Sequence, residues 1–116
     1  MKQSQAEILS ISLNSMMNEK GSLGFKLMRN KRMIDDELQD YYKFKNSLFE
    51  KYGNGENFID PNTENGKKFL EEFQPIADME VSFDFRMVTE DELAQSTLTA
   101  QQMQVIWEWM VEYGKD

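Results

Sequence analysis

The sequence predicts a mainly α-helical fold of the α+β class, in which a long central helix packs with shorter helices and one β-strand. Apolar side chains recur at helical spacing over most of the chain, and residues 22–52 contain no proline. Residues 79–88 instead alternate apolar and polar side chains through five repeats, the pattern of a half-buried strand. The length of 116 residues predicts a single domain over 1–116.

A capping box opens the first predicted helix, because Ser4 precedes Glu7 by three positions and their side chains can bond backbone N–H groups of the first turn. Apolar side chains follow at helical spacing and stop before Gly21: Ala6, Leu9, Leu13 and Met16. Residues 9–13 also alternate apolar side chains with serines, so a strand is the alternative. The cap and the length of the pattern favour a helix.

The second predicted helix is long, running from a cap at Ser22 to Tyr52 with Gly24 as its one interruption. Apolar residues repeat every seven positions along it: Leu27, Ile34, Tyr41 and Leu48. About 28 residues of helix span about 42 Å, more than a domain of this size needs for its own core. The helix therefore either pairs with the first helix in a hairpin or shares its seam with another subunit. The glycines of Gly53-Asn54-Gly55 end it.

A loop over residues 56–66 and a short helix are predicted next. The short helix carries Phe69, Leu70 and Phe73 and stops before Pro75, since a proline disfavours helical backbone in the preceding residue.

The predicted strand over 79–88 places five apolar side chains on one face: Met79, Val81, Phe83, Phe85 and Met87. A single strand leaves its backbone groups unpaired. It therefore pairs with residues 57–59 or 9–13 in a small sheet, or with a second copy of the chain, and we expect a homodimer or larger oligomer.

Two further capping boxes each open a helix: Thr89 with Glu92, and Thr99 with Gln102. The last helix is predicted to run through Tyr113 and to end at Gly114. Its Trp109 lies almost opposite the apolar stripe that contains Ile106 and Trp107. Such a helix is either buried all round or presents a tryptophan to a partner, which makes Trp109 a candidate contact residue.

The composition excludes several classes of site. The chain contains no cysteine and no histidine, which removes disulfides, thiolate and imidazole metal sites, and Ser-His-Asp or Cys-His catalysis. We expect no enzymatic activity and no cofactor, although a Mg²⁺ site built from carboxylates stays open. No apolar run is long enough to span a membrane and the N-terminus lacks a signal-peptide pattern, so the chain is expected to be an intracellular protein.

Basic residues concentrate near the start of the chain. Residues 1–32 carry six basic and two acidic side chains, a net charge of +4. On a helix, Lys26, Arg29 and Arg32 project from neighbouring turns and can hold a phosphate, while Phe25 and Tyr42 can stack on a base. The alternative is ordinary ion pairing between residues four apart: Lys31 with Asp35, and Arg32 with Asp36.

The remaining chain is acidic: residues 33–116 carry seven basic and 19 acidic side chains, a net charge of −12. This charge either serves solubility alone or mimics nucleic-acid phosphates in order to bind a basic protein. The candidate contact residues for mimicry are Asp84, Glu90, Asp91 and Glu92. Binding of duplex DNA is not expected, because the net charge of −8 repels the phosphate backbone.

From about Gly21 to Glu112 the layout resembles a family of small uncharacterised proteins carried by tailed phages of Gram-positive bacteria. Four segments carry the resemblance: Glu50-Lys51-Tyr52-Gly53, Asp60-Pro61-Asn62, Phe69-Leu70-Glu71-Glu72-Phe73 and Trp107-Glu108-Trp109-Met110. These segments are structural and not chemical, so the resemblance transfers no catalytic residues. It implies a phage accessory protein that acts in the host cytoplasm.

Three functions are expected from these observations. The first is non-enzymatic inhibition of a host antiviral defence protein, as anti-CRISPR proteins do, through the acidic, aromatic-bearing surface. The second is an oligomeric sponge that sequesters an anionic nucleotide signal at the basic cluster. The third is a structural or assembly role in the virion.

Overall fold

The computed structural model describes residues 1–53 and 58–111. In that part of the chain the fold is all-α, with six helices and no β-strand. The helices are α1 (Gln3–Asn14), α2 (Gly21–Glu37), α3 (Gln39–Gly53), α4 (Glu64–Ala77), α5 (Glu90–Ala94) and α6 (Ala100–Met110). None of the described helices is long and apolar enough to cross a lipid bilayer.

The chain divides into two compact units. Unit 1 comprises Met1–Ala6 and Glu37–Ser82, and so contains α3 and α4. Unit 2 comprises Glu7–Asp36 and Phe83–Asp116, and contains most of α1 together with α2, α5 and α6. The single domain expected from the chain length stays a prediction.

Aromatic side chains hold unit 1 together where α3 packs against α4. The ring of Phe69 lies 4.9 Å from that of Phe49 and 5.4 Å from that of Phe73. Tyr41 continues the row at 5.6 Å from Phe73. Because aromatic rings bury large areas and attract each other at these distances, the row forms the core of the unit.

The prediction of one long helix over residues 22–52 is wrong, since α2 ends at Glu37 and α3 begins at Gln39. The buried Leu38 separates them, and no glycine or proline marks the break. Acidic residues 35–37 lie at the C-terminal end of α2, where the helix dipole disfavours negative charge, whereas Asp40 lies in the favourable first turn of α3. Local charge is thus unfavourable at the end of α2 and favourable at the start of α3, and it does not account for the break.

The helix predicted to stop before Pro75 continues through it, as α4 ends at Ala77. Thr63 caps the helix by accepting a hydrogen bond from the backbone N–H of Gly66. Gly66 packs directly against the carbonyl group of Asp60, where a side chain would collide. The proline lies in the last turn, so it removes one intrahelical hydrogen bond without breaking the body of the helix.

The core of unit 2 confirms the first helix and excludes the strand alternative for residues 9–13. Leu9 and Leu13 of α1 are buried, as are Leu27 and Ile34 of α2, and Ile106 and Met110 of α6. Two details differ from the prediction, because Ser4 lies inside α1 and the helix ends at Asn14. The backbone N–H of Lys2 instead donates to the side chain of Gln5, which is half of a capping box that begins two residues earlier.

The strand predicted over 79–88 is also wrong. The segment is extended, but its backbone forms only two isolated bridges among the described residues, Lys2 with Glu80 and Val88 with Val111. Burial does alternate along its middle, where Val81, Phe83 and Phe85 are half-buried and the polar residues between them are exposed. The alternation therefore indicates an extended backbone with one face against the protein, and it says nothing about a pairing strand. Asn57, one of the proposed pairing residues, lies outside the described residues.

The capping boxes at Thr89 and Thr99 are confirmed, with both reciprocal hydrogen bonds present in each. The last helix ends at Met110 and Val111 is extended. The predicted helix end at Tyr113 and Gly114 lies outside the described residues.

Candidate functional site

A groove of about 820 Å³ lies within unit 2, between one face of α2 and the extended segment 83–88. Nine residues line it: Lys26, Arg29, Arg32, Met33, Asp36, Asp84, Phe85, Arg86 and Met87. The structure thus brings together the three predicted cations of the basic cluster and adds a fourth, Arg86, from a distant part of the sequence.

The spacing along α2 explains its wall of the groove. Lys26, Arg29 and Arg32 are three residues apart and Asp36 follows after four, so all four side chains project from one helix face. The opposite face of α2 is buried through Leu23, Leu27, Asn30 and Ile34.

The second wall is fixed by Asn30, which is fully buried on α2. Its side-chain Oδ1 accepts a hydrogen bond of 2.8 Å from the backbone N–H of Arg86, and its Nδ2 donates one of 3.0 Å to the Arg86 carbonyl. Both backbone groups of Arg86 are therefore satisfied by one side chain. This contact holds the extended segment alongside α2.

Three of the four cations are available for a ligand. The side chains of Arg29, Arg32 and Arg86 are exposed and form no salt bridge among the described residues. The guanidinium carbon of Arg29 lies 6.0 Å from the ring centre of Phe25, a long cation–π contact. Of the two predicted ion pairs, Lys31 with Asp35 forms at 2.6 Å, whereas Arg32 and Asp36 do not pair.

Lys26 is the cation of the groove that forms an ion pair within the protein. Its Nζ lies 2.6 Å from the Oε1 of Glu92, whose other oxygen accepts a hydrogen bond of 2.5 Å from Ser22. Burial raises the pKa of Glu92, but hydrogen bonds from Lys26, Ser22 and Thr89 outweigh it and lower that pKa to about 2. Glu92 is therefore a charged structural link between α2 and α5.

The aromatic residues of the predicted base platform belong to different units. Phe85 lines the groove and stacks on Phe83, with ring centres 5.2 Å apart and planes 13° from parallel. Phe25 lies one residue before Lys26 and is 54% exposed. Tyr42 belongs to α3 of unit 1, where its ring meets Tyr41 edge-on at 5.5 Å. Phe85 is therefore the aromatic side chain of the groove itself.

The four acidic residues predicted to contact a protein partner are in three different environments. Glu90 and Asp91 are exposed in the first turn of α5. Asp84 lines the groove beside the arginines, and Glu92 is bound to Lys26. The structure therefore leaves two of the four as a free acidic surface.

Trp109 is half-buried on α6, whereas Trp107 is 38% exposed. Trp107 is therefore the tryptophan of α6 with the larger exposed fraction.

The roles of Asn30 and Arg86 and the place of Phe85 in the groove were not predicted from the sequence. A signal for Asn30 exists, because it is the one polar position in the stripe of α2 that otherwise holds Leu23, Leu27 and Ile34. A polar residue in an apolar stripe needs a buried partner. Arg86 has no such signal, since its approach to α2 depends on the tertiary contact with Asn30.

No group of three acidic side chains in the described part of the chain is arranged to hold a metal ion. In comparisons with known proteins, the chain matches no protein-family model, no curated protein and no solved structure.

Proposed function

We propose that the chain is a non-catalytic binding protein that holds an anionic, phosphate-bearing nucleotide in the groove of unit 2. One observation supports this proposal above all: three exposed arginines without ion-pair partners among the described residues, Arg29, Arg32 and Arg86, converge on one groove. Guanidinium groups bind phosphate oxygens in pairs of parallel hydrogen bonds.

The charge of the whole chain makes this clustering significant. At a net charge of −8 the protein repels anions in general, so an anionic ligand needs a local concentration of positive potential. The groove supplies four cations, and one of them, Lys26, is neutralised by Glu92. Asp36 and Asp84 also line the groove, so the three arginines exceed its carboxylates by one positive charge, and it is the clustering of three guanidinium groups that favours a phosphate-bearing ligand.

Phe85 supports a nucleotide over a simple inorganic anion. Its ring lines the groove and is held parallel to Phe83, which limits its movement. A base stacked on an aromatic side chain contributes about 1–3 kcal/mol.

Calorimetric titration of the full chain with inorganic diphosphate and a panel of linear and cyclic nucleotides tests the proposal. We expect binding to at least one of them, and Arg29→Ala is expected to weaken it by about 1.5–3 kcal/mol, or about 10- to 100-fold. Lys67→Ala is the matched control, because it removes an exposed cation of α4 in unit 1. Absence of heat and of a thermal shift with every ligand would refute the proposal.

Sequestration also requires that the bound nucleotide is released without chemical change. Mass spectrometry of a nucleotide recovered after incubation and denaturation is expected to show the starting mass. A hydrolysed or transferred product would contradict a non-catalytic role. In the context of the phage resemblance, the ligand is a nucleotide signal of host immunity.

Inhibition of a host defence protein is the second candidate, supported by the exposed pair Glu90 and Asp91 at the start of α5. Both candidates are tested in bacteria that carry a defence system, by counting phage plaques with and without the chain. The chain is expected to raise the number of plaques. Loss of this increase in the Arg29→Ala variant but not in the Glu90→Lys/Asp91→Lys variant favours sequestration. The opposite result favours inhibition through the acidic surface. Glu92 is left intact, because it supports the fold through Lys26 and Ser22.

A further inference from the structure

The groove of unit 2 contains two carboxylates as well as cations, and their positions follow from the contacts between its walls. Lys26 of α2 contacts Glu92, and Asn30 contacts Arg86. The Glu92 oxygen that Lys26 contacts also accepts a hydrogen bond of 3.0 Å from the backbone N–H of Thr89, so the residue range 83–88 ends near Lys26 while Arg86 lies beside Asn30. Residue numbers therefore rise along α2 while they fall along the opposite wall. The extended segment runs antiparallel to α2.

This antiparallel arrangement places both carboxylates toward one end of the groove. Asp36 lies six residues beyond Asn30, about 9 Å further along α2. Asp84 lies two residues before Arg86, about 7 Å along the extended segment in the same direction. By the same spacing Lys26 lies toward the other end, and Arg29 and Arg32 follow it along α2 at intervals of about 4.5 Å in the direction of Asp36.

Neither carboxylate is occupied by an arginine of the groove. Asp36 and Asp84 are exposed and take part in no salt bridge among the described residues, although both line the same groove as Arg29, Arg32 and Arg86. An ionised carboxylate only accepts hydrogen bonds. The end of a ligand that lies here must therefore carry N–H or O–H donors, while its other end carries the anion.

We infer that the groove selects a guanine nucleotide, with the phosphates at Arg29 and Arg86 and the base edge at the carboxylates. This inference rests on the proposed function and names its ligand class. Guanine presents two parallel donors on one edge, N1–H and the N2 amino group, which fit one carboxylate with two hydrogen bonds. Phe85 also lines the groove, so a base stacked on its ring stays within the groove that holds both carboxylates.

The other bases fit this end less well. Adenine and cytosine each place a ring-nitrogen acceptor beside their amino group, and uracil places its single donor between two carbonyl oxygens. In each case a lone pair would face a carboxylate, which has no proton to donate. Hydrogen bonds to a charged group are the strong ones, so the pairing discriminates between bases.

Titration of the full chain with GTP, ITP, ATP and inorganic diphosphate tests the inference. ITP differs from GTP only by lacking the N2 amino group. We expect GTP to bind on the order of 10- to 100-fold more tightly than ITP or ATP. In the double variant Asp36→Asn/Asp84→Asn this preference is expected to collapse, while diphosphate binding is retained or strengthened.

Asp40→Asn is the matched control, because it removes the charge of an exposed aspartate of α3 that does not line the groove. It should keep the preference for GTP, and circular dichroism checks that each variant is folded. Equal affinity for GTP, ITP and ATP alongside diphosphate binding would overturn the inference and leave the proposed function standing. If diphosphate and all three nucleotides fail to bind, the proposed function fails and the inference fails with it.

Discussion

One side chain, that of Asn30, bonds both backbone groups of Arg86: Oδ1 accepts from the N–H at 2.8 Å and Nδ2 donates to the carbonyl at 3.0 Å. The Nδ2 also lies 3.4 Å from the sulfur of Met110 on α6. The amide therefore takes the place that a neighbouring strand would occupy. It connects α2, the extended segment and α6 through one buried group.

Replacing Asn30 by alanine should destabilise the protein strongly. The change leaves the N–H and the carbonyl of Arg86 without their partner and creates a small cavity at a position that is fully buried. We expect a loss of about 2–4 kcal/mol in the free energy of unfolding, measured by urea denaturation monitored by circular dichroism.

Asn46→Ala serves as the control, because Asn46 is exposed in the middle of α3 and alanine is a good helix former. It should change the free energy of unfolding by less than about 0.5 kcal/mol. If Asn30→Ala lowers the free energy of unfolding by an equally small amount, the two hydrogen bonds between Asn30 and Arg86 are not needed for stability.

The apolar periodicity predicted most of the helices but not the break between α2 and α3. Helical spacing reports which side chains share a face, and Leu27, Ile34, Tyr41 and Leu48 are all buried as that spacing implies. The heptad pattern is continuous through Leu38, so it holds no information about a boundary. Local charge does not account for the break either, because the acidic residues 35–37 oppose a helix end there while Asp40 favours a helix start.

The alternation over 79–88 was misleading for a related reason. It correctly predicts a half-buried face at Val81, Phe83 and Phe85, although Met79 and Met87 of the same face are exposed. Pairing depends on what lies beside the segment. At Arg86 that neighbour is the side chain of Asn30, on a helix more than fifty residues earlier. The basic cluster was predictable because helix spacing places it, whereas Arg86 joins it only through this tertiary contact.

Glu92 should make the stability of the protein depend on pH in acid. Desolvation opposes its charge, but the hydrogen bonds from Lys26, Ser22 and Thr89 lower its pKa from the ordinary value of 4.5 to about 2. A carboxylate whose pKa is lower in the folded state stabilises the fold above its unfolded pKa. This stabilisation is then lost as the pH falls from about 4.5 to about 2.

Glu92→Gln should accordingly be less stable than the original chain at pH 7, by on the order of 3 kcal/mol. Glutamine still fits the capping box with Thr89, so the loss reports mainly the contacts with Lys26 and Ser22. Urea denaturation at several pH values should show the difference shrinking below pH 4.5. Glu90→Gln, an exposed neighbour, should show no comparable difference, and a constant gap across the pH range would contradict the assignment to ionised Glu92.

A homodimer or larger oligomer stays a prediction, although its basis has changed. The long heptad helix is divided at Leu38, and residues 79–88 form no strand that a second copy must complete. What supports it now is the set of exposed apolar side chains, with Ile8 and Ile11 of α1 each 64% exposed. Light scattering at micromolar concentrations should give at least twice the chain mass of 13.7 kDa, and a value equal to that mass would refute the prediction.

The four cations of the groove should contribute unequally to nucleotide binding. Three of the cations have no ion-pair partner among the described residues: Arg29, Arg32 and Arg86. Replacing any one of them by alanine is expected to lower the affinity for the nucleotide by about 10- to 100-fold. The ammonium of Lys26 is already compensated by Glu92 at 2.6 Å, so it carries little net charge toward a ligand.

Lys26→Ala should therefore weaken nucleotide binding less than any of the three arginine variants while lowering the free energy of unfolding more, because it leaves the half-buried carboxylate of Glu92 without its cation. Titration calorimetry and urea denaturation of the four single variants measure the two effects separately. Affinity should also fall as salt is raised, and less steeply in each arginine variant, since fewer charges then face the phosphates. If Lys26→Ala costs as much affinity as Arg29→Ala without loss of stability, the pair with Glu92 opens on binding and Lys26 belongs among the ligand contacts.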